Sequence, residues 1–98
     1  MYLKIHENAN GKVIAVCDKE LIGKVFEEED KYLDLDTHKG FYMGEQTDEH
    51  NVRKILGDFQ SVNLVGNRSV GVALELGMIS EEDVMYIKET PYIQIYKI

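Results

Sequence analysis

The stretch Ser61-Val62-Asn63-Leu64-Val65-Gly66-Asn67-Arg68-Ser69-Val70-Gly71-Val72-Ala73-Leu74-Glu75-Leu76-Gly77 decides the fold class. Its first five residues carry β-branched side chains at Val62 and Val65 and predict a short strand. A helix then starts at Gly66 or Asn67 and runs through Leu76. Val70, Val72, Ala73, Leu74 and Leu76 make it apolar nearly all round, so it should be largely buried. Gly77 supplies the stop. A strand that feeds straight into a buried helix calls for a sheet with helices packed on it.

Downstream, Ser80 followed by Glu81-Glu82-Asp83 has the pattern of a capped single turn. Val84 to Lys88 and Tyr92 to Ile98 predict a terminal hairpin across Glu89-Thr90-Pro91. Upstream, Asp48 to about Phe59 places Val52, Ile55, Leu56 and Phe59 at helical spacing, with Thr47 as N-cap. The N-terminal third is strand-like. Tyr2 to His6 alternates, Asn8 to Gly11 has turn chemistry, and Lys12 to Cys17 is nearly all apolar, so the two should pair. Asp18 should cap a short helical turn through Ile22, with Gly23 ending it. Lys24 to Glu28 and Lys31 to Asp36 predict two short strands. Phe41-Tyr42-Met43, between Gly40 and Gly44, predicts a loop or edge strand. The expected fold is α+β: one compact domain over residues 1–98, with a mixed or antiparallel sheet and two main helices packed on it.

Charge narrows the function classes. Eleven Lys and Arg face eighteen Asp and Glu, a net charge of −7. Residues 27–49 hold nine acids and two bases, so that segment alone accounts for the −7. No basic footprint for nucleic acid exists, and anionic lipid is disfavoured. The acidic belt suits solubility or a basic partner. The lone cysteine, Cys17, permits no intrachain disulfide and fits a reducing cytoplasm. No apolar run approaches the roughly 20 residues of a membrane span. The N-terminus has no signal-peptide pattern.

Four constellations could carry chemistry. At Gly66-Asn67-Arg68-Ser69, free helix N–H groups, the Arg68 guanidinium and the Ser69 hydroxyl could hold a phosphate, a carboxylate or an RNA backbone group. The plain structural reading is ordinary capping by Asn67. Cys17-Asp18 ends a strand just before a helical turn, where a thiol pKa can fall, but Asp18 opposes a thiolate. His6, the nearest base, would lie at the far end of the hairpin from Cys17, which favours a buried structural thiol. Asp34, Asp36 and His38 would share one face of an extended chain, a donor set for a divalent metal. Lys39 tells against that, and a solvated acidic edge is the plainer reading. Last, Tyr92 and Tyr96 share a face of the terminal hairpin with Gln94, with Tyr86 nearby. Such rings can stack bases, or simply close a sheet.

Six motifs carry a family resemblance: Met1-Tyr2-Leu3-Lys4-Ile5-His6, Val16-Cys17-Asp18-Lys19-Glu20-Leu21-Ile22-Gly23-Lys24, Phe41-Tyr42-Met43-Gly44-Glu45, Asn63-Leu64-Val65-Gly66-Asn67-Arg68-Ser69-Val70, Gly77-Met78-Ile79 and Pro91-Tyr92-Ile93-Gln94. In this order and spacing the chain resembles the archaeal "domain of unknown function 424" family. The resemblance implies a small archaeal cytoplasmic protein and implies no activity. It draws attention to Cys17, Asp18, Asn63, Gly66, Arg68 and Gln94. It also leads one to expect a histidine after the proline, where this chain has Tyr92, which tells against a family chemistry passing to it.

The expected function is a non-catalytic binding or adaptor module for a basic protein partner, with translation or RNA processing as the setting that the resemblance suggests. The alternative is a small-anion binder or enzyme using the Gly66–Ser69 junction, with Cys17, Asp18 or Asn63 lining the same pocket. The candidate ligand- or partner-contacting residues are Cys17, Asp18, Asn63, Gly66, Asn67, Arg68, Ser69 and Gln94. No catalytic set, no metal set and no cofactor are expected, nor direct contact with nucleic acid or membrane.

Overall fold

A computed structural model describes residues 1–57 and 59–97. Strand β1 (Tyr2–Asn8) turns through Ala9-Asn10 into β2 (Gly11–Cys17), and the pair is antiparallel from Tyr2↔Cys17 to Asn8↔Gly11. The turn is locked locally, since the Asn10 amide donates to Asn8 Oδ1 at 2.8 Å. A 3₁₀ turn (Lys19–Leu21) and Gly23, at φ 91°, redirect the chain. The hairpin β3 (Val25–Glu28) and β4 (Lys31–Asp34) follows as a separate two-stranded sheet. Then come helix α1 (Lys39–Tyr42), the short strand β5 (Glu45–Gln46) and helix α2 (Glu49–Ile55). Strand β6 (Ser61–Val65) leads into helix α3 (Asn67–Glu75), and the closing hairpin is β7 (Met85–Ile87) and β8 (Thr90–Tyr96).

Among the described residues the main sheet has six strands, in the order β5-β1-β2-β6-β8-β7. Of these described pairings only that of β2 with β6 is parallel, from Val13↔Ser61 to Cys17↔Val65. The fold is therefore α+β with a mixed sheet. A parallel neighbour requires a crossover, and here the crossover is everything from Asp18 to Gln60. Because the β2–β6 pair sits mid-sheet, it is covered on both faces. Ile14, Ala15, Val16 and Cys17 are fully buried, as are Val62 and Leu64.

Alternation along the strands sorts these residues into two cores. Ile14, Val16, Val62 and Leu64 join Leu3, Val52, Val70, Val72 and Ala73 beneath α2 and α3. Ala15, Cys17 and Val65 face the other way, against Leu35, Tyr42, Phe26 and Leu33. The small hairpin and α1 are thus a second layer over part of the sheet.

Several expectations change. Phe41-Tyr42-Met43 is neither loop nor edge strand: Phe41 and Tyr42 lie in α1, and the Met43 amide donates to the Lys39 carbonyl at 2.8 Å. The α2 cap is Asp48, whose carboxylate accepts from the Asn51 amide at 2.9 Å, while Thr47 Oγ1 accepts from Asn51 Nδ2. Helix α2 stops at Ile55, short of Phe59. The terminal turn is Lys88-Glu89, with φ 46° and 67°, so Thr90 and Pro91 already belong to β8. Positive φ at both central residues matches the twist of a two-residue hairpin. Helix α3 is amphipathic, since Leu74 is half-buried and Leu76 is 43% exposed. Asp58 and Ile98, inside the expected helix from Asp48 to about Phe59 and the expected last strand, lie outside the described residues.

Candidate functional site

The strand-to-helix junction does hold an anion, and the anion belongs to the chain. Asp18 is 2% exposed at the end of β2, and its backbone amide donates to the Val65 carbonyl at 3.0 Å. Its side chain leaves its own 3₁₀ turn uncapped and reaches α3 instead. Asp18 Oδ2 accepts from the Arg68 amide at 3.0 Å. Oδ1 accepts from the Ser69 amide at 2.9 Å and from Ser69 Oγ at 2.7 Å. One carboxylate thus satisfies the first free donors of the helix, where negative charge is favoured by the dipole. Gly66, at φ 107°, is the N-cap, and any Cβ there would collide with the Asp18 carboxyl. Capping by Asn67 is therefore corrected: Asn67 is exposed and makes no cap bond. The Arg68 guanidinium grips Glu49 of α2 with two hydrogen bonds, of 3.0 and 2.7 Å.

Cys17 is fully buried, and desolvation, followed by the charges of Asp18 and Glu20, pushes its thiol pKa up to about 12. It is a neutral core group that donates to the Asp18 carbonyl at 3.4 Å. His6 pairs across the sheet with Val13, four positions from Cys17. Asp34, Asp36 and His38 do not share a strand face, because β4 ends at Asp34 and a turn follows. Asp34 Oδ1 holds that turn, accepting from the amides of Asp36 and Thr37 at 2.9 and 2.8 Å. Among the described residues no group of three or more His, Cys, Asp or Glu side chains is placed to hold a metal ion. Tyr86 pairs with Pro91 and stands on the opposite sheet face from Tyr92 and Tyr96, so the tyrosines form no single platform.

Asn63 and Gln94 are direct partners across β6 and β8. They line a cavity of about 230 Å³ with Tyr92, Met85, Leu33 and Tyr42. Leu33 and Tyr42 also border a larger one, of about 390 Å³. Tyr32, Asp34 and Leu35 complete one wall of it, and His38 and Phe41 the other. The larger cavity is a groove between β4, the turn that follows it and α1, and it adjoins the smaller one at Leu33 and Tyr42. Sequence reasoning reached Asn63 and Gln94 but missed the aromatic half, because Phe41 and Tyr42 were not read as helical.

The rings of the groove are held from behind. His6 stacks on Phe41 with centroids 4.6 Å apart and planes 12° apart. His6 Nε2 lies 3.0 Å from the Phe41 carbonyl oxygen, which requires the hydrogen on that nitrogen. Phe41 and Tyr42 meet edge to face at 84°. Burial raises the Tyr42 hydroxyl pKa to about 12, so it stays protonated. Lys4 fastens the same segment, donating to the Gly40 carbonyl at 2.8 Å.

A family model described as "Protein of unknown function (DUF424)" matches residues 5–98. The chain belongs to that family. Among solved structures it is similar to an uncharacterised conserved protein from Methanopyrus kandleri, with a TM-score of 0.79 and 23% identity over 97% of this chain and 89% of that one. That likeness shows the fold alone. No curated protein matches the chain significantly. Among the described residues no helix is long and apolar enough to cross a membrane.

Proposed function

We propose that this DUF424 protein is a cytoplasmic, non-catalytic binding module whose groove takes a basic segment of a partner protein. One observation carries the reading. Every residue lining the 390 Å³ cavity falls between positions 27 and 49, the segment that carries the net charge of −7. Apolar and aromatic walls inside a negative field suit a chain that offers cations on an apolar stem. The size is that of an ordinary ligand pocket. An external anion at the α3 N-terminus would have to displace Asp18 and break the Arg68–Glu49 pair, so the site used by the alternative reading is already filled.

Selection of displayed random peptides on the purified protein tests this. Enrichment of Lys- and Arg-rich sequences with aliphatic neighbours is expected, with binding that weakens as salt rises. Tyr32 is 61% exposed, so Tyr32→Ser should fold normally and weaken those peptides about tenfold. Selection of neutral or acidic peptides, or binding indifferent to Tyr32→Ser, overturns the proposal.

A further inference from the structure

We infer that the larger cavity is a cage for a single alkylammonium group, the head of a lysine side chain on the docking segment. This rests on the groove reading above and deepens it.

Three aromatic rings, Tyr32, Phe41 and Tyr42, border the cavity together with the Asp34 carboxylate. Phe41 and Tyr42 stand nearly perpendicular, with centroids 5.1 Å apart, which makes a corner of two π-systems. His6 covers one face of Phe41 and is not part of the cavity wall. The ring is therefore held firmly and still presents surface to the cavity. A cation within about 6 Å of such ring faces is attracted by their quadrupoles.

Asp34 decides which cation fits. Its Oδ1 is spent on the amides of Thr37 and Asp36. Its Oδ2 takes a long contact, 3.5 Å, from the Tyr32 hydroxyl, and the Thr37 side chain also bonds to the carboxylate. Oδ1 is therefore not free to share a two-oxygen fork. A guanidinium makes its best contact with both oxygens of a carboxylate, whereas an ammonium is a point charge that needs one. The amide bonds, that of Thr37 first, also hold the Asp34 pKa below the ordinary value, so the carboxylate is charged at neutral pH. The surrounding field is negative too, with nine acids against two bases in this segment.

The test is a proton NMR titration of the whole chain at pH 8 with n-butylammonium, compared with the neutral isostere n-butanol. The ammonium should shift the ring signals of Tyr32, Phe41 and Tyr42 and bind several-fold more tightly than the alcohol. Asp34→Asn keeps an oxygen for the turn amides and removes the charge. Phe41→Leu keeps apolar volume and removes a ring. Each should weaken the ammonium about tenfold and leave n-butanol nearly unchanged. No shift at tens of millimolar ammonium, equal affinity for the alcohol, or indifference to both variants overturns the inference. Basic peptides that bind while n-butylammonium does not would sink the cage and leave the docking reading standing. Ammonium binding without any basic-peptide binding would support the cage and sink the docking reading.

Discussion

At the scale of single residues, Asp18 and Gly66 are one device in two parts. Asp18 is anchored on β2 and caps α3, and Gly66 leaves the room that the carboxylate occupies. Replacing Asp18 by Ala would strand the amides of Arg68 and Ser69 and the buried Ser69 hydroxyl. The expected cost is about 2–4 kcal/mol, from a lost cap and unsatisfied buried groups. Gly66→Ala meets both the collision and the positive φ, and should cost about 2 kcal/mol or more. The two effects should not add. Without the Asp18 carboxyl the two closest clashes disappear, while the contact with the Cβ of residue 18, at 2.6 Å, and the backbone strain remain, so Gly66→Ala should cost less in the Asp18→Ala background. Urea unfolding of the four-member cycle measures this. Strict additivity would mean that the carboxylate does not fill that space in solution.

At the scale of elements, Arg68 ties α3 to α2 through Glu49, and Arg53 of α2 pairs with Glu75 of α3. The Arg68 hydrogen bonds, ahead of the Glu49 backbone amide at the start of α2, hold the Glu49 pKa down at about 2 against an ordinary 4.5. A depressed carboxylate pKa stabilises the fold above the unfolded value and loses that contribution as pH falls through the folded one. The difference in Tm between wild type and Glu49→Gln should therefore be full at pH 6 and shrink between pH 4.5 and 2. Because the pair is exposed, the difference should also shrink in high salt. A difference that holds constant down to pH 2 would rule out the ion pair as its source. Such pairs also mark where sequence reading stops. The alternation of Tyr2 to His6, the apolar run to Cys17 and the branched Ser61–Val65 each announced a strand, because strand burial is written in local order. Gly77 at φ 72° lies just beyond α3, as the stop signal indicated. The Asp18 cap was not legible: 51 positions separate Asp18 from Ser69, and a local cap on the 3₁₀ turn was the nearer use for it. Helix α1 was missed because its four residues, Gly40 among them, carry no periodicity, and packing on β1 and β2, with His6 stacked on Phe41, holds its rings rather than its own propensity.

At the scale of the whole molecule, the chain divides into a sheet with helices on one face and a smaller layer on the other. Pairing β2 with β6 leaves residues 18–60 as the crossover, and between Lys24 and Gln46 only the two residues of β5 join the main sheet. The β3–β4 hairpin instead leans on the edge strand β7. Lys31 Nζ donates to the Tyr86 carbonyl at 3.0 Å, and the Lys88 amide donates to Glu28 Oε1 at 3.3 Å. Those side-chain bonds occupy part of an edge that could otherwise recruit a foreign strand. They are exposed, however, and weaker than a buried ladder. The groove is therefore walled on one side by α1, which packs on β1 and β2 of the well-anchored sheet, and on the other by β4, whose hairpin has few deep contacts, Phe26 and Leu33 chief among them. Local opening should follow that division. In native-state hydrogen exchange, amides that bond within the β3–β4 hairpin should exchange through a sub-global opening in low denaturant. Those of Ala15, Val16 and Leu64 should exchange only with global unfolding. A basic peptide bound in the groove should slow the hairpin and α1 amides and leave β2 and β6 unchanged, since those are already at the global limit. Hairpin amides as protected as Val16 in the free protein would contradict the division, and would mean that the acidic layer is as much part of the cooperative core as the sheet beneath it.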